Sequence, residues 1–180
     1  MYREFQVGNQ KGTLIFLDGL VNTELMDADI LKPLFNYGKD LAHPPELPLI
    51  KQLLLEQVIT AAQISEGQKI QDIIDHVLSG DTVVLIDGVQ QALFISLQQW
   101  DKRSVEEPST EPVVRGLREG FTENLRTNTT LIRRRLKTPK LKMESLTVGR
   151  LSKTSIVITY LEGTADDSLV KEVRGRINHG

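Results

Sequence analysis

The sequence contains no cysteine, which excludes disulfide bonds and thiolate metal sites. No apolar run approaches the roughly 18 residues that a membrane-spanning helix needs. The first ten residues, MYREFQVGNQ, lack the apolar core of a signal peptide. Aromatic residues make up only 5% of the chain, and the sequence pI is about 6.0. Both values argue against a nucleic-acid-binding protein, which needs stacking platforms and a basic charge balance.

Catalytic and metal-binding motifs are also missing. The sequence has no P-loop, no G-x-G-x-x-G, no H-E-x-x-H and no G-x-S-x-G. Its three histidines, His43, His76 and His179, are not arranged at metal-ligand spacing. Only His76 has carboxylates nearby, Asp72 and Asp75, and we expect this group to lie on the solvated side of a helix. The sequence therefore predicts no enzymatic activity, no cofactor and no metal ion.

What remains is the profile of a soluble globular protein: 180 residues, 39% hydrophobic and 26% charged. Apolar periodicity and turn residues predict strands, hairpins and helices in alternation. The predicted strands are 3–7, 13–17, 60–64, 82–86, 92–97, 141–148 and 155–160. Five helices are predicted. The first is capped by Asn22 or Thr23 and is kinked or ended by Pro33, and the second begins at Pro48. The third follows a capping box of Ser65 and Gln68 and ends at Gly80, the fourth spans 119–137, and the last is capped by Asp166, Asp167 or Ser168.

An apolar strand followed by an acidic residue and glycine recurs three times, in TLIFLDGL, TVVLIDGV and IVITYLEGT. The favoured interpretation is a structural turn, because glycine supplies a permissive backbone where a buried strand ends. A catalytic pair of Asp18 and Asp87 is the alternative. The repeat suggests an α/β fold of two small lobes, each a mixed β-sheet packed with helices. We place the first lobe at 1–103 and the second, with a connecting segment and a long helix, at 104–180. The second lobe has fewer elements, which suggests that it is incomplete in these 180 residues.

The segment from Arg115 to Lys142 is strongly basic, with nine cationic residues against Glu119 and Glu123. Two glycines in RGLREG leave anion binding open as a minor alternative. The helix predicted after them has an apolar face that includes Phe121 and a polar middle at 127–130. That middle either lines a groove or forms an internal side-chain network. The triplet 133–135 is suited to pairing with upstream carboxylates or to docking on an acidic partner, rather than to binding phosphates.

The stretch LQQWDKRSVEEPSTEPVVRGLREGFTENLRTNTTLIRRRLKTPKLKMESLTVGRLSKTSIVITYLEG resembles the signature region of the GerA family. This family comprises the A subunits of spore germinant receptors. REFQVGNQKGTLIFLDGLVN is similar to the family's N-terminal segment, so the resemblance covers nearly the whole chain. Two positions depart from the pattern: Leu117 stands where proline is usual, and Gln98-Gln99 where Lys-Gly is common.

The resemblance implies a soluble N-terminal region of a receptor A subunit, followed in the family by a membrane-spanning region. It implies a location in the spore inner membrane, with this domain on the cytoplasmic (spore core) side. It also implies receptor B and C subunits as partners, and a small nutrient germinant, an amino acid or a sugar, as a possible ligand.

We therefore expect a non-enzymatic domain for nutrient sensing or signal coupling that triggers germination through the attached membrane region. One alternative is a docking module that binds other receptor subunits without a small ligand. Another is the same domain in the paralogue associated with the spore calcium-dipicolinate channel. The candidate ligand or interface residues lie in the basic segment: Arg115, Arg118, Glu119, Glu123, Arg126, Thr127, Asn128 and Arg133.

Overall fold

A five-stranded antiparallel sheet forms from the first half of the chain. The structure is a computed structural model that describes residues 1–7, 10–40, 55–56, 59, 61, 63–98 and 120–179. The strands are β1 (Tyr2–Val7), β2 (Gln10–Ile15), β3 (Ile64–Gly67), β4 (Thr82–Ile86) and β5 (Ala92–Ile95). Their order in the sheet is β1-β2-β4-β5-β3, and every neighbouring pair is antiparallel.

The main core lies on one face of this sheet. There the chain forms α1 (Thr23–Met26), a π-helical turn (Asp27–Leu31) and α2 (Lys32–Asp40). Ile30, Leu31 and Leu34 of this helical segment are at most 1% exposed and pack with buried strand residues such as Leu14 and Leu93. Burial of large aliphatic side chains of this kind contributes about 1.5–3 kcal/mol each, so this layer adds several kcal/mol to the stability of the fold.

The helical segment begins as expected but does not end at Pro33. Asn22 caps it, because its side chain accepts hydrogen bonds from the backbone N–H groups of Glu24 and Leu25. The helix continues past Pro33 to Asp40, and the π-helical turn directly precedes α2. Proline lacks an N–H and crowds the carbonyl four residues earlier. The widened π-turn at that point relieves the crowding without ending the helix.

The other face of the sheet is covered in part by α3 (Ile70–Ser79). Ile73 and Val77 of this helix pack on Val83 and Phe94. The helix ends as predicted at Gly80, whose φ of 97° is left-handed.

The capping box expected at Ser65 and Gln68 is wrong. Ile64–Gly67 is instead strand β3, which pairs with β5, and the helix cap is Lys69, without a side-chain hydrogen bond. Tertiary packing decides this assignment: the Phe94 ring lies so close to Gly67 that a Cβ there would be 2.6 Å from Phe94 Cε2. The strand expected at Thr60–Ile64 therefore lies later in the chain.

The second half of the chain contains α4 (Leu125–Arg135), β6 (Leu141–Val148), β7 (Thr154–Leu161) and α5 (Asp167–His179). β6 and β7 form an antiparallel hairpin with eight consecutive pairs, from Leu141↔Leu161 to Val148↔Thr154. The last helix is capped as expected, since Asp166 Oδ1 accepts from Ser168 N at 2.7 Å. That bond, with one from the Ser168 side chain, lowers the pKa of Asp166.

The helix α4 begins later than the sequence suggested. Residues 120–124 are not helical, and Asn124 is the N-cap. Phe121, expected on the apolar face, is 71% exposed, whereas Leu131, expected at its edge, is buried. The asparagine and threonine side chains around position 124 bond to the backbone, which favours a cap over an added helical turn.

The repeated acid-glycine pairs are structural turns. Gly19, Gly88 and Gly163 all have positive φ, at 85°, 79° and 77°. The alternative of a catalytic pair is wrong for Asp18 and Asp87, because each follows the end of one of two antiparallel neighbours, β2 and β4. The ends of antiparallel strands lie at opposite edges of the ladder.

The α/β class expected from the sequence is confirmed, and the described strands pair antiparallel in both sheets, where mixed sheets were expected. Contacts group the chain into two compact units, Met1–Asp101 and Lys102–Gly180. The predicted lobe boundary at 103–104 and nearly all of the helix predicted from Pro48 lie outside the described residues.

Candidate functional site

A layered set of hydrogen bonds holds the start of α4, within the segment that the sequence singled out. Asn124 Oδ1 accepts from the backbone N of Arg126 at 2.9 Å and of Thr127 at 3.3 Å. Thr122 Oγ1 in turn accepts from Asn124 N at 3.2 Å. These bonds satisfy N–H groups that have no partner inside the helix. The backbone of the first turn is thereby fixed.

Asn128 ties the preceding chain to this turn. Its Oδ1 accepts from Thr122 N at 2.7 Å, and its Nδ2 donates to Thr122 O at 2.7 Å. The amide thus pairs with both backbone groups of one residue in a partly buried setting. Thr129 Oγ1 donates to Arg126 O within the helix. The polar middle of the helix therefore forms an internal network, which is one of the two roles expected for it.

The structure brings five of the eight predicted site residues together on or just before α4. Glu123 and Arg126 are exposed, while Thr127, Asn128 and Arg133 are half-buried. Arg115, Arg118 and Glu119 lie outside the described residues. The arginine at 126 thus has a side chain at the surface on a rigidly capped turn, which suits a contact with another molecule.

The arginine triplet occupies the last turn of α4. The carbonyl groups at a helix C-terminus carry partial negative charge, which cations stabilise by typically 0.3–1 kcal/mol. Arg133 and Arg134 are half-buried and Arg135 is exposed. Part of the basic charge therefore stabilises the helix itself.

Sequence reasoning missed a groove of about 630 Å³ on the first sheet. Residues of β1, β2 and β4 line it, together with Asp87 of the following turn. The charged side chains along it, Glu4, Lys11 and Asp87, are exposed and carry both signs. The backbone N of Asp87 bonds to Lys11 O at 2.8 Å, which fixes the spacing of these two residues. The strands β1, β2 and β4 come together only through strand pairing, so no local sequence motif predicts the groove.

His76 is partly solvated, with 35% of its side chain exposed, and it also makes contacts that the sequence did not predict. Its Nδ1 lies 2.7 Å from Asp81 Oδ2, and its ring stacks on Phe94 with centroids 4.0 Å apart. Gln98 Nε2 donates to Asp81 Oδ1 at 3.1 Å and to Ser79 O at 2.9 Å. This cluster joins the end of α3 to the segments that flank β4 and β5. The sequence pattern did not predict this cluster, because Asp81 lies after the end of the helix at Gly80. In the structure Asp81 is nearly buried.

Neither a metal centre nor a membrane span is found in the described part of the chain. No group of three or more histidine and carboxylate side chains there is arranged to hold a metal ion. No helix among these residues is long and apolar enough to cross a bilayer.

Comparison with known proteins places this fold in a family. The model of the Bacillus/Clostridium GerA spore germination proteins matches residues 1–179. The chain therefore belongs to the GerA family of spore germination proteins, as the resemblance predicted.

The fold is similar to a solved structure, that of the N-terminal domain of the A subunit of the Bacillus megaterium spore germinant receptor GerK3. The similarity has a TM-score of 0.69 and 27% sequence identity, and covers 98% of this chain and 63% of that one. Nearly the full length of this chain is thus similar to the N-terminal domain of a germinant receptor A subunit.

Two full-length relatives show how the chain compares in size. It is 33% identical over 178 residues to the uncharacterized membrane protein YfkQ of Bacillus subtilis, covering 98% of this chain and 34% of that protein. It is 39% identical over 128 residues to the spore germination protein GerLA of Bacillus cereus, covering 71% of this chain and 26% of that protein. The chain thus spans about a third or less of these relatives.

Proposed function

We propose that this chain is the sensing or coupling region of a germinant-receptor A subunit, and that it has no enzymatic activity of its own. The observation that carries the proposal is the match to the N-terminal domain of the GerK3 A subunit over 98% of the chain. In the proposed mechanism, binding of a nutrient or of a partner subunit shifts the population of domain conformations and biases an attached membrane region.

The first turn of α4 is the surface through which we propose that the signal passes. Its backbone is held by Asn124 and Asn128, so the exposed Arg126 side chain projects from a rigid base. Preorganisation lowers the entropy cost of binding, which makes such a side chain effective in recognition. The proposed partners are the receptor B and C subunits, in the spore inner membrane, with this domain on the core side.

Spore germination tests this role. We expect Arg126→Ala, introduced into the full-length protein, to slow nutrient-triggered germination about tenfold while it shifts the melting temperature of the chain by less than about 2 °C. Arg176→Ala is the matched control, because Arg176 is a surface arginine that pairs with Glu172 one turn away on α5. Equal loss of melting temperature and of germination in Arg126→Ala would show that the arginine is structural.

Direct nutrient binding is tested separately by isothermal titration of the purified chain with a panel of amino acids and sugars. A saturable heat for one member, reduced when Lys11 or Asp87 is replaced by alanine, would assign the nutrient to the sheet groove. No heat across the panel would remove the sensing role from this region and leave coupling.

A second candidate function is a docking module without a small ligand. It is favoured by Leu169 and Val173, which lie one turn apart on α5 and are 55% and 37% exposed. Apolar side chains exposed side by side mark candidate protein contacts. Co-purification of a receptor subunit that is lost in Leu169→Ser, together with silence in the nutrient titration, would support docking over sensing.

Family membership does not choose between paralogues. The chain is 30% identical to spore germination protein KA and 34% identical to stage V sporulation protein AF, both of Bacillus subtilis. The alternative role beside the calcium-dipicolinate channel is tested in spores that lack the gene. Loss of response to one nutrient class would support the receptor role, whereas slower dipicolinate release with every germinant would support the channel-associated role.

A further inference from the structure

The turn between β6 and β7, residues 149–153, carries the most exposed large hydrophobic side chain in the described part of the chain. We call this turn the hairpin tip. Leu151 at its centre is 91% exposed, and Arg150 and Lys153 beside it are exposed as well. The leucine is almost fully hydrated, so burial within the fold does not account for its presence at the hairpin tip.

The backbone of the hairpin tip is closed by its own contacts. Lys153 N donates to Gly149 O at 3.0 Å, and these two residues have left-handed φ angles of 45° and 80°. The Ser152 side chain folds back over Gly149, where a Cβ would clash with Ser152 Oγ. The same Oγ accepts from Thr154 Oγ1 at 3.1 Å. Leu151 is thus presented by a preorganised loop, which lowers the entropy cost of binding.

The geometry of the turn does not require leucine. Turns select glycine, asparagine, aspartate and serine, which tolerate positive φ or bond to the nearby backbone. In the hairpin tip the positive φ angles fall on Gly149 and Lys153 and not on Leu151. Removing a leucine side chain from water shifts an equilibrium about tenfold to a hundredfold. The position therefore favours a partner that takes Leu151 out of water.

The charge around the hairpin tip is positive. Between 145 and 161 the sequence has no aspartate or glutamate, and Arg150 and Lys153 are its only charged residues. Glu144 lies about 13 Å back along β6, at about 3.3 Å per residue, and it is paired with Arg174 at 2.6 Å. The Debye length at physiological ionic strength is about 8 Å. This carboxylate therefore does not cancel the positive field of the hairpin tip.

The shape and chemistry of the hairpin tip fit a lipid surface better than a protein surface. A stable protein interface buries about 800 Å² on each partner and depends on well-packed anchor residues. The hairpin tip instead presents one apolar side chain at the end of a two-stranded hairpin. A bilayer interface accepts a protruding side chain without a matching pocket, and anionic headgroups attract lysine and arginine. An apolar side chain flanked by two cations is complementary to such a surface.

We propose that the hairpin tip is a contact site for an anionic lipid bilayer. Leu151 enters the boundary between the headgroups and the acyl chains, while Arg150 and Lys153 contact the lipid phosphates. This site goes beyond the proposed function, because it orients the second unit against a membrane surface whether or not a nutrient is bound.

Vesicle co-sedimentation of the purified 180-residue chain tests the proposal. The vesicles are phosphatidylcholine with about one third phosphatidylglycerol, and pure phosphatidylcholine is the neutral comparison. One leucine and two cations predict an apparent binding constant on the order of 10³ M⁻¹, so binding is measured up to about millimolar lipid. We expect reversible binding to the anionic vesicles and at least about tenfold weaker binding to the neutral ones.

Variants separate the apolar contribution from the charge contribution. Leu151→Ser should weaken binding to anionic vesicles about tenfold or more. Leu169→Ser is the matched control and should leave vesicle binding unchanged, because Leu169 is also exposed, at 55%, but follows Asp166 and Asp167. Lys153→Gly removes one cation at a left-handed φ that glycine accepts. It should weaken vesicle binding about fivefold without lowering the melting temperature.

A fluorescent label gives an independent readout of which part of the chain meets the lipid. The chain has no cysteine, so Leu151→Cys and Leu169→Cys each take a single environment-sensitive nitrobenzoxadiazole label. On anionic vesicles the emission of the label at 151 should rise and shift to the blue, because its surroundings become apolar. The label at 169 should not respond.

Three results would overturn the proposal. They are the absence of vesicle binding up to about millimolar lipid, binding that Leu151→Ser weakens no more than Leu169→Ser does, and a label at 151 that stays in water while the chain is bound. If the chain ignores vesicles but captures a receptor subunit, and Leu151→Ser loses that subunit, the hairpin tip contacts a protein instead.

Discussion

Replacing Asn128 tests how much the internal network in the middle of α4 contributes to stability. Asn128→Ala removes two partly buried hydrogen bonds of 2.7 Å, both to Thr122. Each is worth about 1 kcal/mol net, so their loss costs about 2 kcal/mol. The higher helix propensity of alanine returns about 0.6 kcal/mol. We expect a net destabilisation of about 1.5 kcal/mol.

The melting temperature follows from that free energy. For a unit of 60–100 residues, each kcal/mol shifts the melting temperature by about 4–8 °C. If the second unit, Lys102–Gly180, melts independently, Asn128→Ala should lower its transition by about 6–12 °C. If both units melt together, the shift should be about half as large, because the unfolding entropy is larger. Thermal and urea unfolding followed by circular dichroism measure both quantities.

Two companion variants sharpen the test. Thr129→Ala removes only a bond to Arg126 O inside the helix and should change stability by less than about 0.5 kcal/mol. Asn128→Asp keeps the acceptor but places a carboxylate oxygen against Thr122 O, and it should be at least as destabilising as Asn128→Ala at neutral pH. If Asn128→Ala abolishes germination without lowering the melting temperature, the network reasoning is refuted and Asn128 contacts a ligand.

Two further predictions concern the hairpin and the glycines. The Tyr160 hydroxyl and Arg174 hold the pKa of Glu144 below its usual value of 4.5. A carboxyl whose pKa is lowered by folding stabilises the fold at pH values above its pKa in the unfolded chain. The original chain should therefore be more stable than Glu144→Gln near neutral pH, and this difference should disappear as the pH falls below 4.5. If urea unfolding gives the same difference in free energy across this pH range, the Tyr160 and Arg174 contacts do not stabilise the charged form of Glu144. Gly80→Ala should destabilise by about 1 kcal/mol, because its φ is 97°. Gly175→Ala, in a helix with open space around the position, should stabilise the chain by about 0.5–1 kcal/mol. If Gly80→Ala has the higher melting temperature of the two variants, the argument from backbone conformation is refuted.

Local patterns predicted much of the fold. The hairpins, the cap at Asn22, the stop at Gly80 and the cap at Asp166 agree with the structure because each depends on a few adjacent residues. The errors occurred where distant residues intervene. Ile64–Gly67 is a strand because β5 pairs with it, although its own sequence resembles a helix start.

The candidate site shows the same division. The basic segment and its polar helix middle were visible in the sequence, and so was the family. The pairing of Asn128 with Thr122, the contact of His76 with Asp81 and the sheet groove were not. Each of these depends on side-chain direction or strand order, which no spacing rule determines.

The sequence by itself therefore determined the class of fold, its turns and caps, the membership in the GerA family and the absence of recognised catalytic motifs. These properties follow from local backbone preferences and from residue identity. Tertiary structure alone decided the strand order β1-β2-β4-β5-β3 and the start of α4 at its asparagine cap. Those features depend on free-energy differences between alternative pairings of distant segments, to which many weak contacts contribute at once.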